Sequence, residues 1–205
     1  FKDIAGAGKH LTAGAKKVII SAPSSDDQVK TVIYGVNQEI LTDTDQIISV
    51  GSCTTNCLAP IAKIIEDNIG IEKGFVTTIH AYTNDQNIAD STHKDLRRAR
   101  AAGLSMVPTS TGAAKAISKV IPELSGKLDG VAIRVPTANV SLVDFCFLAK
   151  KNLLEEDLNA LVKDASEGKM SRVLGYNDEP LVSIDFNHTT ETVSYTHLTL
   201  PTIRL

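Results

Sequence analysis

Ile47-Ile48-Ser49-Val50-Gly51-Ser52-Cys53-Thr54-Thr55-Asn56-Cys57-Leu58-Ala59-Pro60 is the stretch on which the fold turns. Ile47 to Val50 is a short apolar run of strand type. Gly51 ends it. Ser52 to Asn56 then supplies Ser, Thr and Asn, which start helices by offering side-chain oxygens to free backbone N–H groups. Leu58, Ile61, Ile64 and Ile65 fall on one apolar stripe, which predicts a helix from Cys53 to about Asn68. Pro60 is compatible with that helix only near its start.

Outward from this unit, strands and helices interleave, which places the chain in the α/β or α+β classes. Val18–Ile20 and Thr31–Gly35 read as short strands on the N-terminal side. On the C-terminal side Phe75–Ile79 is β-rich and leads into His80. Residues 84–107 lack periodicity, carry His93, Lys94, Arg97, Arg98 and Arg100, and read as a long polar loop of functional type. Thr111 opens a second helix that runs to about Val120. Val131–Val135 and Val140–Leu148 read as strands, Glu155–Ser166 as a third helix stopped at Gly168, and Leu181–Phe186 as a last strand.

Two hundred and five residues lie between one and two domains at roughly 150 residues each. Apolar residues make up 42% and charged residues 22%, an ordinary globular composition that excludes disordered and collagen-like chains. With 21 basic against 24 acidic residues and no basic block, no nucleic-acid partner is expected. No apolar run approaches the roughly 18–20 residues needed to cross a bilayer, so no membrane partner is expected. Three cysteines without a signal-peptide pattern fit a reducing, cytoplasmic setting. Cys53 and Cys57 lack a second ligand pair at metal-binding spacing, so no metal site is expected.

Cys53 opens a helix. There the positive end of the helix dipole and the free N–H groups favour thiolate, which suits a nucleophile; a buried cysteine beside an ordinary cap is the plainer alternative. His80 ends a strand and can point into a cleft as a base, or serve as a structural hydrogen-bonded histidine. His10, His93 and His188 stand in polar stretches and read as surface residues. Thr109-Ser110-Thr111-Gly112 at a helix start can bind an anion or act as a plain cap. Arg134, charged between apolar strand neighbours, needs a partner, either a phosphate or a carboxylate.

At this level of detail the residues resemble phosphorylating glyceraldehyde-3-phosphate dehydrogenases. Ser52-Cys53-Thr54-Thr55-Asn56-Cys57-Leu58-Ala59-Pro60 is similar to the active-site signature of that family. Thr77 to Gln86, His93 to Arg100, Thr111 to Lys115 and Arg134 to Thr137 follow in the family's order, and the resemblance covers about Phe1 to Glu191.

The resemblance implies NAD-dependent oxidative phosphorylation of D-glyceraldehyde 3-phosphate to 1,3-bisphosphoglycerate, a step of glycolysis, with NAD as cofactor. Cys53 would be the nucleophile and His80 the base, and the Cys53 N–H would stabilise the oxyanion. Ser52, Thr54, Thr111 and Gly112 match the site of the attacking inorganic phosphate. Thr83 and Arg134 match the site of the substrate's own phosphate, and Arg98 is a further phosphate contact. Ser21 matches a position near the nicotinamide ribose. The related erythrose-4-phosphate dehydrogenases share the Cys53 motif, but Thr111-Gly112-Ala113-Ala114 follows the glyceraldehyde-3-phosphate pattern. A fragment with only a binding role is the reading from another class.

The implied fold is a remnant of a Rossmann-type dinucleotide-binding domain at 1–51, then an α+β catalytic domain with a mixed sheet at 52–192. The remnant lacks the G-x-G-x-x-G turn and acidic partner of such domains. Gly6-Ala7-Gly8 has no third glycine and follows no strand, so it is rejected as a pyrophosphate site. The chain opens at Phe1 without an initiator Met, so the numbering is expected to begin inside a longer protein, a homotetramer by resemblance, and the fragment alone is expected to be inactive. Residues 193–205 depart from the family and read as one frame of a transposon-end sequencing adapter; they are expected to be non-native.

Overall fold

The computed structural model describes residues 1–196. The first elements are a helix, α1 (Ile4–Thr12), and three short strands, β1 (Val18–Ile20), β2 (Lys30–Thr31) and β3 (Ile47–Ser49). The strands form a parallel sheet in the order β1-β3-β2, with Val18 beside Ile47 and Lys30 beside Ile48. Ala7, Ile20 and Val29 make a small core of their own there.

Helix α1 was not expected from the sequence, because Gly6 and Gly8 are poor helix formers. Its signal lies in the ends. The Asp3 carboxylate accepts from the Gly6 N–H at 2.5 Å, Lys9 and His10 sit in the last turn, and Gly14 follows at φ 105°. Gly6 and Gly8 are therefore helical residues, not a phosphate loop.

The strand expected over Thr31–Gly35 stops at Thr31. The Asn37 side chain accepts from the Ile33 N–H at 2.7 Å and donates to the Thr31 carbonyl at 3.0 Å, and Gly35 adopts φ 86°, so the chain turns. Ile33 and Val36 are buried in the main core.

That core lies under a four-stranded sheet. Its strands are β4 (Ile71–Ala81), β5 (Val107–Ser110), β6 (Leu128–Val135) and β7 (Ser141–Ala149), in the order β5-β6-β4-β7. β4 pairs parallel with β6 and antiparallel with β7, so the sheet is mixed, as expected. The helices α2 (Cys53–Asn68), α3 (Ala113–Val120) and α4 (Glu155–Glu167) contribute Leu58, Ala62, Ile65, Ile117, Leu158 and Val162 against Val76 of β4 and Phe145 and Phe147 of β7. Alternation along the strands leaves Phe75, Leu142 and Leu148 exposed on the other face. Pro60 lies inside α2, past its first turn. It removes the N–H that would bond the Asn56 carbonyl.

A final parallel pair joins β8 (Leu174–Asn177) to β9 (Val193–Thr196). Tyr195 of β9 is buried and donates from its hydroxyl to Asn159 Oδ1 at 3.0 Å. The rest of the stretch expected to be adapter-derived, 197–205, lies outside the described residues. Ser183–Phe186, expected as strand, forms a 3-10 turn instead, because the Asp185 carboxylate accepts from the Val182 N–H at 2.8 Å and folds the segment on itself.

Thr78, on the helix-covered side of β4, is 1% exposed, and its hydroxyl has no hydrogen-bond partner among the described residues. An unpaired buried hydroxyl costs free energy that an isosteric methyl does not. Thr78→Val is therefore expected to stabilise the fold by about 1 kcal/mol, read as a higher midpoint in urea at unchanged slope.

Candidate active site

β3 delivers the chain to Gly51, whose φ of 70° turns it into α2. Ser52 is the N-cap: its Oγ accepts from the Thr55 N–H at 3.1 Å and shares a hydrogen bond with the Thr55 hydroxyl at 2.7 Å. Cys53 is the first helical residue and is exposed. Beside it β4 ends, and Cys53 Sγ lies 3.0 Å from His80 Nε2.

The pair activates the thiol. Cys53 is held down from the usual 9.0 to about 7, chiefly by the hydrogen bond with His80. Burial opposes the shift, while the charge of His80 and the N–H and hydroxyl of Thr54 add to it. The two Thr54 bonds at the helix start thus contribute less than the histidine. His80 is raised in turn, first by its bond to Cys53, while burial and the charge of Arg134 act against it. Burial pushes Cys57, one turn further along α2, up to about 12, and a charge on Cys53 pushes it the same way. One helix therefore carries a reactive and an inert thiol.

The other face of the imidazole is fixed by backbone. His80 Nδ1 lies 2.7 Å from the Ala81 carbonyl, and Arg134 Nη1 lies 2.9 Å from the same oxygen. A carbonyl oxygen has two lone pairs and takes both donors. Arg134 Nη1 also lies 2.7 Å from His80 Nδ1, to which it can donate only when that nitrogen carries no proton. With Nδ1 engaged by the Ala81 carbonyl and Arg134, Nε2 is the atom that faces the sulfur and exchanges a proton with it. The parallel ladder places Arg134 directly beside His80, and Arg134 Nε is buried with no hydrogen-bond partner among the described residues.

A second guanidinium stands close by. Cys53, Asp85 and Arg98 all act on the charge of Arg134. Arg98 is engaged: Nη1 pairs with Asp85, Nε and Nη2 donate to the Thr109 hydroxyl at 2.8 Å and 2.5 Å, and Asp95 lies 3.6 Å away. Thr83 is positioned by Gln86, which is buried and accepts from the Thr83 N–H at 2.9 Å. The structure thus brings Cys53, His80, Arg134 and Arg98 into one neighbourhood. Ser52 and Thr54 flank the sulfur in sequence, with Thr54 buried.

Thr111 and Gly112 precede α3, with the Thr111 hydroxyl accepting from the Ala113 N–H at 3.2 Å. Among the described residues no hydrogen bond joins them to the Cys53–His80 pair. Ser21 is exposed just past the C-terminal end of β1 and is not bonded to the pair either. Sequence reasoning missed Asp85, Gln86 and Thr109 as supports. It also missed the Ala81 carbonyl, for which no side chain gives a signal.

Fold and site together define a mixed α/β chain that presents an activated helix-start cysteine to a strand-end histidine. A sequence model described as glyceraldehyde 3-phosphate dehydrogenase, C-terminal domain, matches residues 52–202. The chain belongs to the glyceraldehyde 3-phosphate dehydrogenase family. It is 57% identical over 187 residues to the glyceraldehyde-3-phosphate dehydrogenase of Zymomonas mobilis, covering 91% of this chain and 56% of the relative. It is 58% identical over 182 residues to that of Xanthobacter flavus, covering 89% and 54%. For Priestia megaterium the identity is 56% over 188 residues, covering 91% and 56%. The chain spans about half the length of the curated relatives it matches. No helix among the described residues is long and apolar enough to cross a membrane.

Proposed function

We propose that this chain carries the acyl-transfer half of a phosphorylating glyceraldehyde-3-phosphate dehydrogenase, with Cys53 as nucleophile and His80 as acid and base. The observation that carries the reading is the 3.0 Å contact between Cys53 Sγ and His80 Nε2. The thiolate attacks the aldehyde carbon, and His80 gives its Nε2 proton to the new alkoxide to form a thiohemiacetal. His80, then neutral, is placed to take that proton back. NAD, when bound, supplies the acceptor for the hydride. Inorganic phosphate attacks the acyl carbon of the Cys53 thioester and thiolate leaves, giving 1,3-bisphosphoglycerate.

The buried, unpartnered Arg134 Nε supports a phosphate ligand at that side of the site. In this reading Arg98, by exchanging its bonds to Asp85 and Thr109, and Thr83 join it, and Ser52, Thr54, Thr111 and Gly112 supply hydroxyls and N–H groups for the attacking phosphate. Residues 1–51 fit the end of a dinucleotide-binding domain. Ligands of parallel sheets bind outside the carboxyl ends of the strands. Here Ser21 follows β1 at that edge, and β3 leads from the same edge to Cys53.

Acylation from the product side needs no oxidant and tests the reading. Mixed with 1,3-bisphosphoglycerate, Cys53 sulfur attacks the acyl carbon, the carbon–oxygen bond to phosphate breaks, and inorganic phosphate leaves. Peptide mass spectrometry is expected to find the 3-phosphoglyceroyl group on Cys53, with phosphate released in equal amount. No adduct, on protein whose Cys53 still alkylates with iodoacetamide, overturns the assignment.

A further inference from the structure

The turn between β6 and β7 carries a disfavoured backbone next to the site. Val140 adopts φ 68°, a genuine outlier for a β-branched residue. Such geometry persists only where surrounding contacts impose it. Two contacts do so here. Asn139 Nδ2 donates to Asn187 Oδ1 at 2.6 Å, tying the turn to a segment 48 residues away. The Val140 carbonyl accepts the Ala81 N–H at 3.4 Å. Ser141, the next residue, is the ladder partner of His80 on β7. Ala81 is also the residue whose carbonyl lies 2.7 Å from His80 Nδ1.

We infer that Asn139, Val140 and Asn187 are positioning residues for His80: the amide clasp and the left-handed Val140 set the Val140 carbonyl on the Ala81 N–H, and thereby the Ala81 carbonyl on the imidazole. The inference rests on the reading of His80 as partner of Cys53. The charged groups acting on His80 are Cys53 from α2 and Arg134 from β6. None of the three turn residues is ionisable, so their effect on the pair passes through geometry alone.

The test is the pH profile of Cys53 alkylation by iodoacetamide in the full chain, with Cys146→Ser removing the other exposed thiol. Asn139→Ala and Asn187→Ala are each expected to raise the midpoint by about half a pH unit, roughly threefold slower reaction below it. The double variant adds nothing further, since both substitutions break one bond. Val140→Gly, free to adopt positive φ, keeps the native midpoint. Val140→Pro, locked near φ −65°, shifts the midpoint as Asn139→Ala does; if it does not fold, the two asparagine variants decide. Asparagine variants that keep the native midpoint, while His80→Gln raises it, overturn the inference and leave the His80 reading standing. A His80→Gln variant with the native midpoint overturns both.

Discussion

Cys53→Ser is expected to remove the proposed acyl transfer from 1,3-bisphosphoglycerate, by at least about three orders of magnitude. The sulfur of Cys53 titrates at about 7, so near neutral pH a large share is already thiolate. A serine hydroxyl at the same place stays protonated through the whole accessible range, and its bond to His80 cannot bring it near. The substitution is nearly isosteric at an exposed first-turn position, so the fold is retained within about 0.5 kcal/mol. Phosphate release and acyl-peptide mass, followed side by side with the native chain, read the loss. Acylation of the serine variant at the native rate removes Cys53 from the mechanism, and Cys57 cannot stand in, because burial holds its thiol near 12.

His80→Gln gives the second large effect, and it depends on pH with a definite sign. His80 is the main cause of the drop of Cys53 from 9.0 to about 7, so without it the midpoint moves back up toward 9.0. At neutral pH the thiolate fraction, and with it the iodoacetamide rate, falls by between about tenfold and fiftyfold. Burial, which raises the thiol, and the smaller lowering contributions from Thr54 remain and act against each other. As pH rises past the new midpoint the variant catches up, and above about 9 the two rates converge. Native reactivity levels off above 7 and falls about tenfold per unit below it. A gap that stays constant across pH would mean that the variant has lost structure rather than the pair.

The reactive half of the site was legible because its signals are local. Strand, glycine, N-cap and thiol follow one another from Ile47 to Cys53, and a strand-end histidine is visible in Thr77 to His80. What joins them is not local. The ladder that sets His80 beside Arg134 crosses 54 positions, and parallel register leaves no mark in either strand. The sequence signals both a helix-start thiol and a histidine able to pair with it; the 3.0 Å approach that makes the His80 bond the chief cause of the shift is set by the fold. Helix α1 escaped because its two internal glycines outweigh its caps in any propensity reading. β8 escaped because Leu174–Asn177 contains a glycine and too few residues to show alternation. Ser183–Phe186 has strand-like composition but turns, since the Asp185 carboxylate captures a backbone N–H three residues back. Arg98 was legible as a charge, but its ties to Asp85 and Thr109 belong to the fold of the loop.

β4 is one of two interior strands of the mixed sheet, with β6 hydrogen-bonded on one side and β7 on the other from Gly74 to His80. Such a strand gives up its amide protons to solvent only through openings that dismantle the sheet, whereas the first turn of a helix frays at little cost. The two members of the pair therefore live at opposite ends of the local-opening scale. The backbone that carries His80 is held from both sides, while the first helix turn that carries Cys53 is the part of the pair with the lower cost of opening. In that sense the histidine is the fixed jaw and the cysteine the moving one.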